Sequence, residues 1–529
     1  MKKTLVLLLF IVIVLPLCAQ TSEVDKIVNN IFNPLISFLD KVLFFDLFAA
    51  VGLNLGVKVP FIVLWLIAGA VFFSFYFKFI NLRAFGHAID LVRGKYDKDG
   101  HTGEISHFQA IATATASTVG LGNIAGVAIA ISLGGPGATF WIIVAGLLGM
   151  TTKFAECTLG VKYRKVDNDN NVSGGPMYYL SQGFAKKGWK KTGKVLAYTF
   201  AIFATIGAFG IGNMFQSNQL IAQTIVSFPS LDGYQLWLGL ITAILVGVVI
   251  LGGIKGIARV NDKLFPIMAI LYILSCLIVI GVNYQQLDNA VVHIFNGAFN
   301  ADAAKGGFIG VMIIGFRRAA FSNEAGIGSA AIAHSTVRTE KPVTEGIVAL
   351  LEPFIDTVVI CTLTALVIIT SGFYYNPDNL TGTQLTSEAF ATVSPWFSYL
   401  LLPTIILFAY TTIISWSYYG VKSFDFLVGD ASQKYFGSRM VATRFYQMIY
   451  LIVTVLGSVL SLSALVDFSD MLVLAMAVPN IIGLYVLAPE IKEELNTYML
   501  WLKSEKLKLK SKNNTTDRQK IDLAKREAI

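Results

Sequence analysis

Two short stretches carry the residues best suited to chemistry, TVGLGNIAG at 118–126 and FSNEAGIGS at 321–329. Each sets glycines beside polar side chains in the middle of a long apolar run. The first holds Gly120, Gly122 and Asn123; the second holds Ser322, Asn323, Glu324, Gly326 and Gly328. A helix interrupted in lipid leaves amides and carbonyls without partners, so a break is tolerated only around a filled or wet site. Amides freed at the start of the inner half-helix attract an anion such as a carboxylate. Carbonyls freed at the end of the outer half-helix attract Na⁺ or an ammonium group. One such site can hold a zwitterion and a hard cation together. The competing reading is close packing, in which Gly120, Gly122 and Gly126 only let helices approach. Asn123 and the Ser-Asn-Glu triplet are costly in a purely packing role, which favours binding.

Ionisable residues inside apolar spans are functional candidates. Arg317 and Arg318 lie just outside the second break, Glu324 within it, and Glu352 and Asp356 on the next span. For Glu352 and Asp356 the plain reading is charge pairing that holds helices together. His334, at an inner helix end, reads as a cap or packing residue rather than a proton relay. For Glu324 three partners are open: the start of the inner half-helix, Arg317 or Arg318, and the ammonium group of a bound ligand. An outer turn bearing Asp467 and Asp470 is expected between the last two spans. Pairing of Arg317 or Arg318 with either aspartate would make an outer gate. The cysteines Cys18, Cys157, Cys276 and Cys361 show no paired or metal-type spacing and read as small apolar packers.

These side chains need helices to hold them. Of 529 residues, 55% are apolar and 14% charged, too little charge to cover a soluble protein of this length. The net charge of +8 does not indicate nucleic acid, because the basic residues sit between apolar spans. Residues 1–20 have the layout of a secretory signal: Lys2 and Lys3, an apolar run, then Cys18-Ala19-Gln20. Residues 31–48 are apolar but interrupted by Pro34, Asp40, Lys41 and Asp46, and read as interfacial. Spans are expected near 58–80, 108–132, 138–160, 195–218, 234–253, 264–283, 306–334, 343–371, 394–420, 443–465 and 470–489. Each is long enough to cross about 30 Å of hydrocarbon as a helix.

Charge tests this layout. With the N-terminus outside, the inner segments hold Arg83, Arg93, Lys95, Lys162, Arg164, the cluster KKGWKKTGK, Lys255, Arg259, Arg338, Lys341, Lys422 and Arg439. The outer loops near 219–233, 284–304, 372–393 and 466–470 hold no Lys or Arg. That bias puts the N-terminus outside and the C-terminus inside, in a bacterial-type inner membrane. Setting the first span aside leaves ten, which divide five and five with opposite starting orientations, the arithmetic of an inverted repeat. The expected organisation is a signal-like segment (1–20) and an extension with the first span (21–107). Two five-helix repeats (108–285 and 303–490) and a basic cytoplasmic tail (491–529) follow. The fold class is all-α and polytopic, with about eleven membrane helices.

Longer motifs sharpen the expectation. STVGLGNIAGVAIAISLGGPGATFW (117–141), SGGPMYYLSQG (173–183), GIGNMFQSNQ (210–219), FSNEAGIGSAAIAHS (321–335) and ISWSYYG (414–420) resemble signatures of the alanine or glycine:cation symporter family, over about residues 55–490. The resemblance implies a LeuT-like five-plus-five fold with one extra N-terminal helix. It also implies uptake of a small neutral amino acid, alanine or glycine, coupled to Na⁺ or H⁺, with no organic cofactor and no enzymatic activity.

On that resemblance Asn123 could bind Na⁺ through its amide oxygen, with Ser322 and Asn323 similar candidates; helix capping is the alternative for all three. Thr411, Thr412 and Ser415 lie on the eighth core helix, where the fold places a second cation site; back-bonding to their own helix is the alternative. Gln216 and Asn218 could orient a zwitterion, and Trp416 could limit pocket size. A channel would need a pore filter, usually built by oligomer symmetry, and one pair of inverted breaks argues against it. A membrane enzyme lacks support: there is no metal spacing, nucleophile–base pair or nucleotide loop.

Overall fold

A computed structural model describes residues 34, 36–53, 58–96, 100–167, 171–299, 307–375, 380, 382–460 and 462–527. The signal-like segment 1–20 lies outside the described residues. The described chain is almost wholly helical; one two-stranded hairpin, Lys165–Val166 with Val172–Ser173, caps one end. Among the described residues, seven helices are long and apolar enough to cross a membrane alone, and an eighth crossing is the pair His107–Thr118 and Gly122–Gly134, bent by 51°. Two shorter apolar helices (Phe61–Tyr76 and Gln235–Ile250) and a second broken helix (Gly307–Asn323 and Ala330–His334) complete an order consistent with eleven crossings.

The two broken helices run in opposite directions. His107, at the start of the first, and His334, at the end of the second, meet the same carboxylate, Glu345. The chain also pairs Ile105 with Val337 there. We call this end the basic face, because Lys162, Arg164, Lys341 and Lys422 surround it. The reversal matters for the ligand. In the second broken helix, the half that begins at the break runs to the basic face. In the first, the half that begins at the break runs to the opposite face, so the expectation about inner amides holds for the second break and is mirrored in the first.

The boundaries of the last three helices differ from expectation. The helix expected at 394–420 starts at Leu401 after a 3₁₀ turn and runs on to Phe436, well past the apolar stretch. The helix expected to end at 465 ends at Gly457, and the last one begins at Leu462 and continues to Glu527. Asp467 and Asp470 therefore lie inside a helix rather than in an outer turn. Asp470 is tolerated there because it is buried against arginines.

A staple holds the basic face together. Arg164, just past the end of helix Ala138–Lys162, donates to the carbonyls of Ser335 and Val337 from one guanidinium nitrogen and to those of Thr102 and Thr339 from the other. It thereby joins the segment entering the first broken helix to the segment leaving the second. Alongside it, Glu340 accepts from the backbone N–H and hydroxyl of Thr102, bonds that hold its carboxyl below the usual carboxylate range. A lysine offers a point charge instead of a planar fork and cannot reach four carbonyls. Arg164→Lys should lower stability by about 2–4 kcal/mol, since hydrogen bonds to charged groups contribute about 1.5–3 kcal/mol each and some will re-form. Thermal unfolding in detergent measures this, and an unchanged midpoint would count against the staple.

Candidate functional site

Helix geometry is loosened at three places around the breaks. Segments Gly122–Gly126, Gly210–Met214 and Phe354–Cys361 are π-helical, and the first packs against the third. A π turn adds a residue to the turn and redirects side chains, a feature common at functional sites.

Asn123 ties the elements together. Its Oδ1 accepts from Gly120 N at 2.9 Å, closing the break, while its Nδ2 donates to Ser322 Oγ at 3.0 Å and Asp356 Oδ1 at 2.7 Å. The other Asp356 oxygen accepts from Ser322 Oγ and Thr357 Oγ1, each at 2.7 Å. Asn323 donates to Thr357 Oγ1 at 2.9 Å, and its own oxygen accepts from Ala325 N, capping the second break. All these side chains are buried. Charge pairing was the plain reading for both Glu352 and Asp356; Glu352 has such a partner and Asp356 has none among the described residues. Glu352 takes Lys153 at 2.9 Å and faces His334, while both arginines before the second break go to Asp470. Asp356 is left as a buried carboxylate surrounded by the Asn123 amide N–H and two hydroxyls, with Cys361 Sγ 3.3 Å from Ser322 Oγ, and no cationic side chain is paired to it among the described residues. Its carboxylate and the hydroxyl oxygens suit a hard cation.

Glu324 follows the last turn of helix Gly307–Asn323 with φ +55°, a left-handed conformation rare for such a residue. The turn aims its carboxylate into the bundle. One oxygen accepts from Trp416 Nε1 at 3.2 Å and the other from Ser329 Oγ. Of the partners expected for Glu324, neither Arg317 nor Arg318 is used. Arg317 meets Asp470 at 2.8 Å and Arg318 meets it at 3.8 Å, on the face opposite the basic one. The side chain of Asp467 lies outside the described residues.

The remaining candidates divide. Gln216 reaches the first break, where its Oε1 accepts from Leu121 N at 3.3 Å. Thr412 donates to the Ala116 carbonyl at 3.1 Å, at the end of the first half-helix. A Cβ on Gly120 would sit 2.8 Å from Thr412 Oγ1 and 3.3 Å from Gln216 Oε1, so only glycine lets these three meet. Gly212 has the same role under Trp416, whose ring would lie about 2.1 Å from an added Cβ. Gly122 lies against Phe321, and Gly326 and Gly328 take positive φ in the second break. Thr411 and Ser415 turn elsewhere: both bond back along their own helix, toward Met268 and Asn261 of helix Gly253–Val282. Asn218 donates to the Gly457 and Leu460 carbonyls, away from the breaks.

Sequence reasoning missed Lys153, Glu156, His107 and Glu345, all buried near the breaks. A signal existed: Lys153 and Glu156 sit one turn apart inside an otherwise apolar span. A cavity of about 660 Å³ opens at the basic face between Tyr178, Ile257, Tyr418, Lys422 and Arg444, and reaches Ser417, next to Trp416.

Two interrupted, antiparallel helices around buried polar groups are an arrangement that membrane transporters use. The chain belongs to the Sodium:alanine symporter family, whose sequence model matches residues 47–513. It is 38% identical over 442 residues to the sodium/alanine symporter AgcS of Methanococcus maripaludis, covering 83% of this chain and 94% of that one. To the probable sodium/glutamine symporter GlnT of Bacillus subtilis it is 33% identical over 440 residues, 83% of this chain and 87% of the relative. Among solved structures, MhsT in complex with L-phenylalanine aligns with 74% of this chain and 89% of its own at 18% identity and TM-score 0.49.

Proposed function

We propose that this protein carries a small neutral amino acid, alanine or glycine, across the membrane together with Na⁺, by alternating access around the two breaks. One observation carries the reading: a buried carboxylate lies against each break, Asp356 at the first and Glu324 in the second, with no cationic side chain paired to it among the described residues. Asp356 with Asn123, Ser322 and Thr357 would hold the sodium ion, which supplies the charge that makes an ion gradient do work on the carrier. Glu324 would face the substrate ammonium. The amides at the start of the second half of the first broken helix, with Gln216, would meet the substrate carboxylate. Trp416, packed on Gly212, would wall the pocket against larger side chains. Thr412, at the Ala116 carbonyl, is the nearest candidate for a second cation position; Thr411 and Ser415 would contribute only after turning.

The positive-inside rule makes the basic face cytoplasmic. In this conformation the Arg317–Asp470 pair bridges two helices on the outer side while the 660 Å³ cavity opens inward. Supported by that asymmetry, the pair acts as the outer gate and must part to admit substrate.

The test is reconstitution into liposomes. Labelled alanine and glycine should enter saturably when sodium is higher outside, and counterflow should be blocked by small neutral amino acids but not by large ones. Uptake equally fast without any ion gradient, or without saturation, would overturn the reading.

A further inference from the structure

Behind the breaks lies a buried ionic cluster outside the sodium and substrate sites proposed above. Glu345 accepts from two imidazoles at once: His334 Nδ1 lies 2.6 Å from one oxygen, and His107 Nδ1 bonds the other. The second nitrogen of His334 lies 3.6 Å from Glu352 Oε2, and the other Glu352 oxygen takes Lys153 at 2.9 Å. Glu156, one turn beyond Lys153, accepts from Asn480 at 2.7 Å, and Asn480 in turn donates to the Gly326 carbonyl of the second break. The other titratable groups around the cluster are Cys157, Tyr179 and Tyr419, with Glu324 and Asp356 at the breaks and Arg164 at the basic face.

A neutral imidazole carries one N–H and one lone pair. His334 has a carboxylate against each ring nitrogen, so in the neutral form a lone pair would face a carboxylate oxygen in a dry site. The imidazolium suits both neighbours: it donates to Glu345 from Nδ1 and, at 3.6 Å, stands as an ion pair with Glu352. Charge gives the same answer. Glu345 and Glu352 set two negative charges against the single ammonium of Lys153, and one proton on His334 balances them. The cluster also has an outlet. His107 lines a small cavity of about 50 Å³ at the basic face, shared with His101, Glu340 and Lys341.

We propose that His334, held between Glu345 and Glu352, is a proton-binding site loaded from the basic-face solution through His107 and Glu345. Its proton fastens the first half of the first broken helix to the helices behind it. A proton from water or buffer in the small cavity binds His107, whose Nδ1–H passes to one Glu345 oxygen; the carboxylic acid so formed turns and gives its proton to His334 Nδ1, which leaves Glu345 a carboxylate again, and the steps reverse on release. His107 stands on the half-helix that bends 51° from its continuation, so losing the proton loosens a piece already set off from the rest. Proton binding at this cluster is separate from the coupling ion at Asp356.

The chain holds five histidines. Replacing His87, His101 and His293 by glutamine leaves His107 and His334, whose protonation is read by solid-state nitrogen NMR of ¹⁵N-histidine-labelled protein in lipid. The expected result is an imidazolium at His334 at neutral pH that becomes neutral only well above the ordinary histidine pKa of about 6.5. In His334→Gln, amide hydrogen exchange over residues 107–118 should rise about tenfold while helix Gln235–Ile250 is unchanged. A neutral His334 at pH 7 overturns the site. An imidazolium with unchanged exchange in the variant overturns the fastening. Should His334→Gln fail to fold, exchange is compared in the wild type on either side of the NMR titration, with the intrinsic pH effect divided out. Neither readout needs a substrate or a sodium gradient, so failure here is distinct from failure of the symport reading.

Discussion

Asp356→Asn is expected to abolish the sodium stimulation of uptake at ordinary sodium concentrations while leaving the protein folded. The side chain now accepts three side-chain hydrogen bonds, from Asn123 on one oxygen and from Ser322 and Thr357 on the other. Asparagine has the same shape. Its oxygen can keep the Asn123 bond, because that donor cannot reverse. Its NH₂ then faces the two hydroxyls, which rotate to accept. The network survives and the charge is gone. A fully desolvated charge contact of this kind is worth about 2–4 kcal/mol, so half-saturating sodium should rise by about 30- to 1000-fold. Asn123→Ala should show a smaller rise, since it removes one neutral ligand and keeps the carboxylate. Sodium-dependent uptake in liposomes, with thermal unfolding as the control, measures both. Wild-type sodium dependence in Asp356→Asn would return Asp356 to a purely structural role.

That assignment shows where reading the sequence succeeds and where it stops. The order of apolar spans, the two glycine breaks and their opposite polarity were legible, because lipid forces backbone groups to pair within each span and leaves interruptions conspicuous. Asn123, Ser322 and Gln216 were legible because they sit at or beside those interruptions or in matched motifs. Asp356 was noticed but read as a charge-pairing residue, and no cationic side chain is paired to it among the described residues. Thr357 beside it is one partner, yet the other two come from segments more than 30 and more than 200 residues away. Thr411, Thr412 and Ser415 fall on one short stretch, but helical rotation sends only Thr412 to the break. Lys153 was passed over because a single lysine does little to an otherwise apolar window. Only the fold shows that its ammonium meets Glu352. Sequence spacing fixes which side chains share a helix face; it does not fix which face meets which helix.

Glu324→Gln should weaken substrate binding by about tenfold to a hundredfold with little change in stability. The prediction rests on which atoms can switch roles. Trp416 Nε1 only donates, so a glutamine at 324 must turn its oxygen toward the indole, keeping that bond. Its NH₂ then faces Ser329, whose hydroxyl turns to accept instead of donate. Both contacts persist and the left-handed backbone at 324 is untouched, so only the negative charge is lost. If that charge meets a substrate ammonium, a charge-assisted bond worth about 1.5–3 kcal/mol disappears, which is the stated loss of affinity. Trp416→Phe separates the two roles of the pair. It removes the donor and leaves a buried carboxylate oxygen unpartnered, at about 1–3 kcal/mol, so it should lower the melting temperature where Glu324→Gln does not. Binding of labelled alanine by scintillation proximity, alongside thermal unfolding of both variants, reads these outcomes. Affinity within about twofold of wild type in Glu324→Gln would make the carboxylate a helix cap for Ser329 and Trp416 alone, and the ammonium would have to be held by the carbonyls of the breaks.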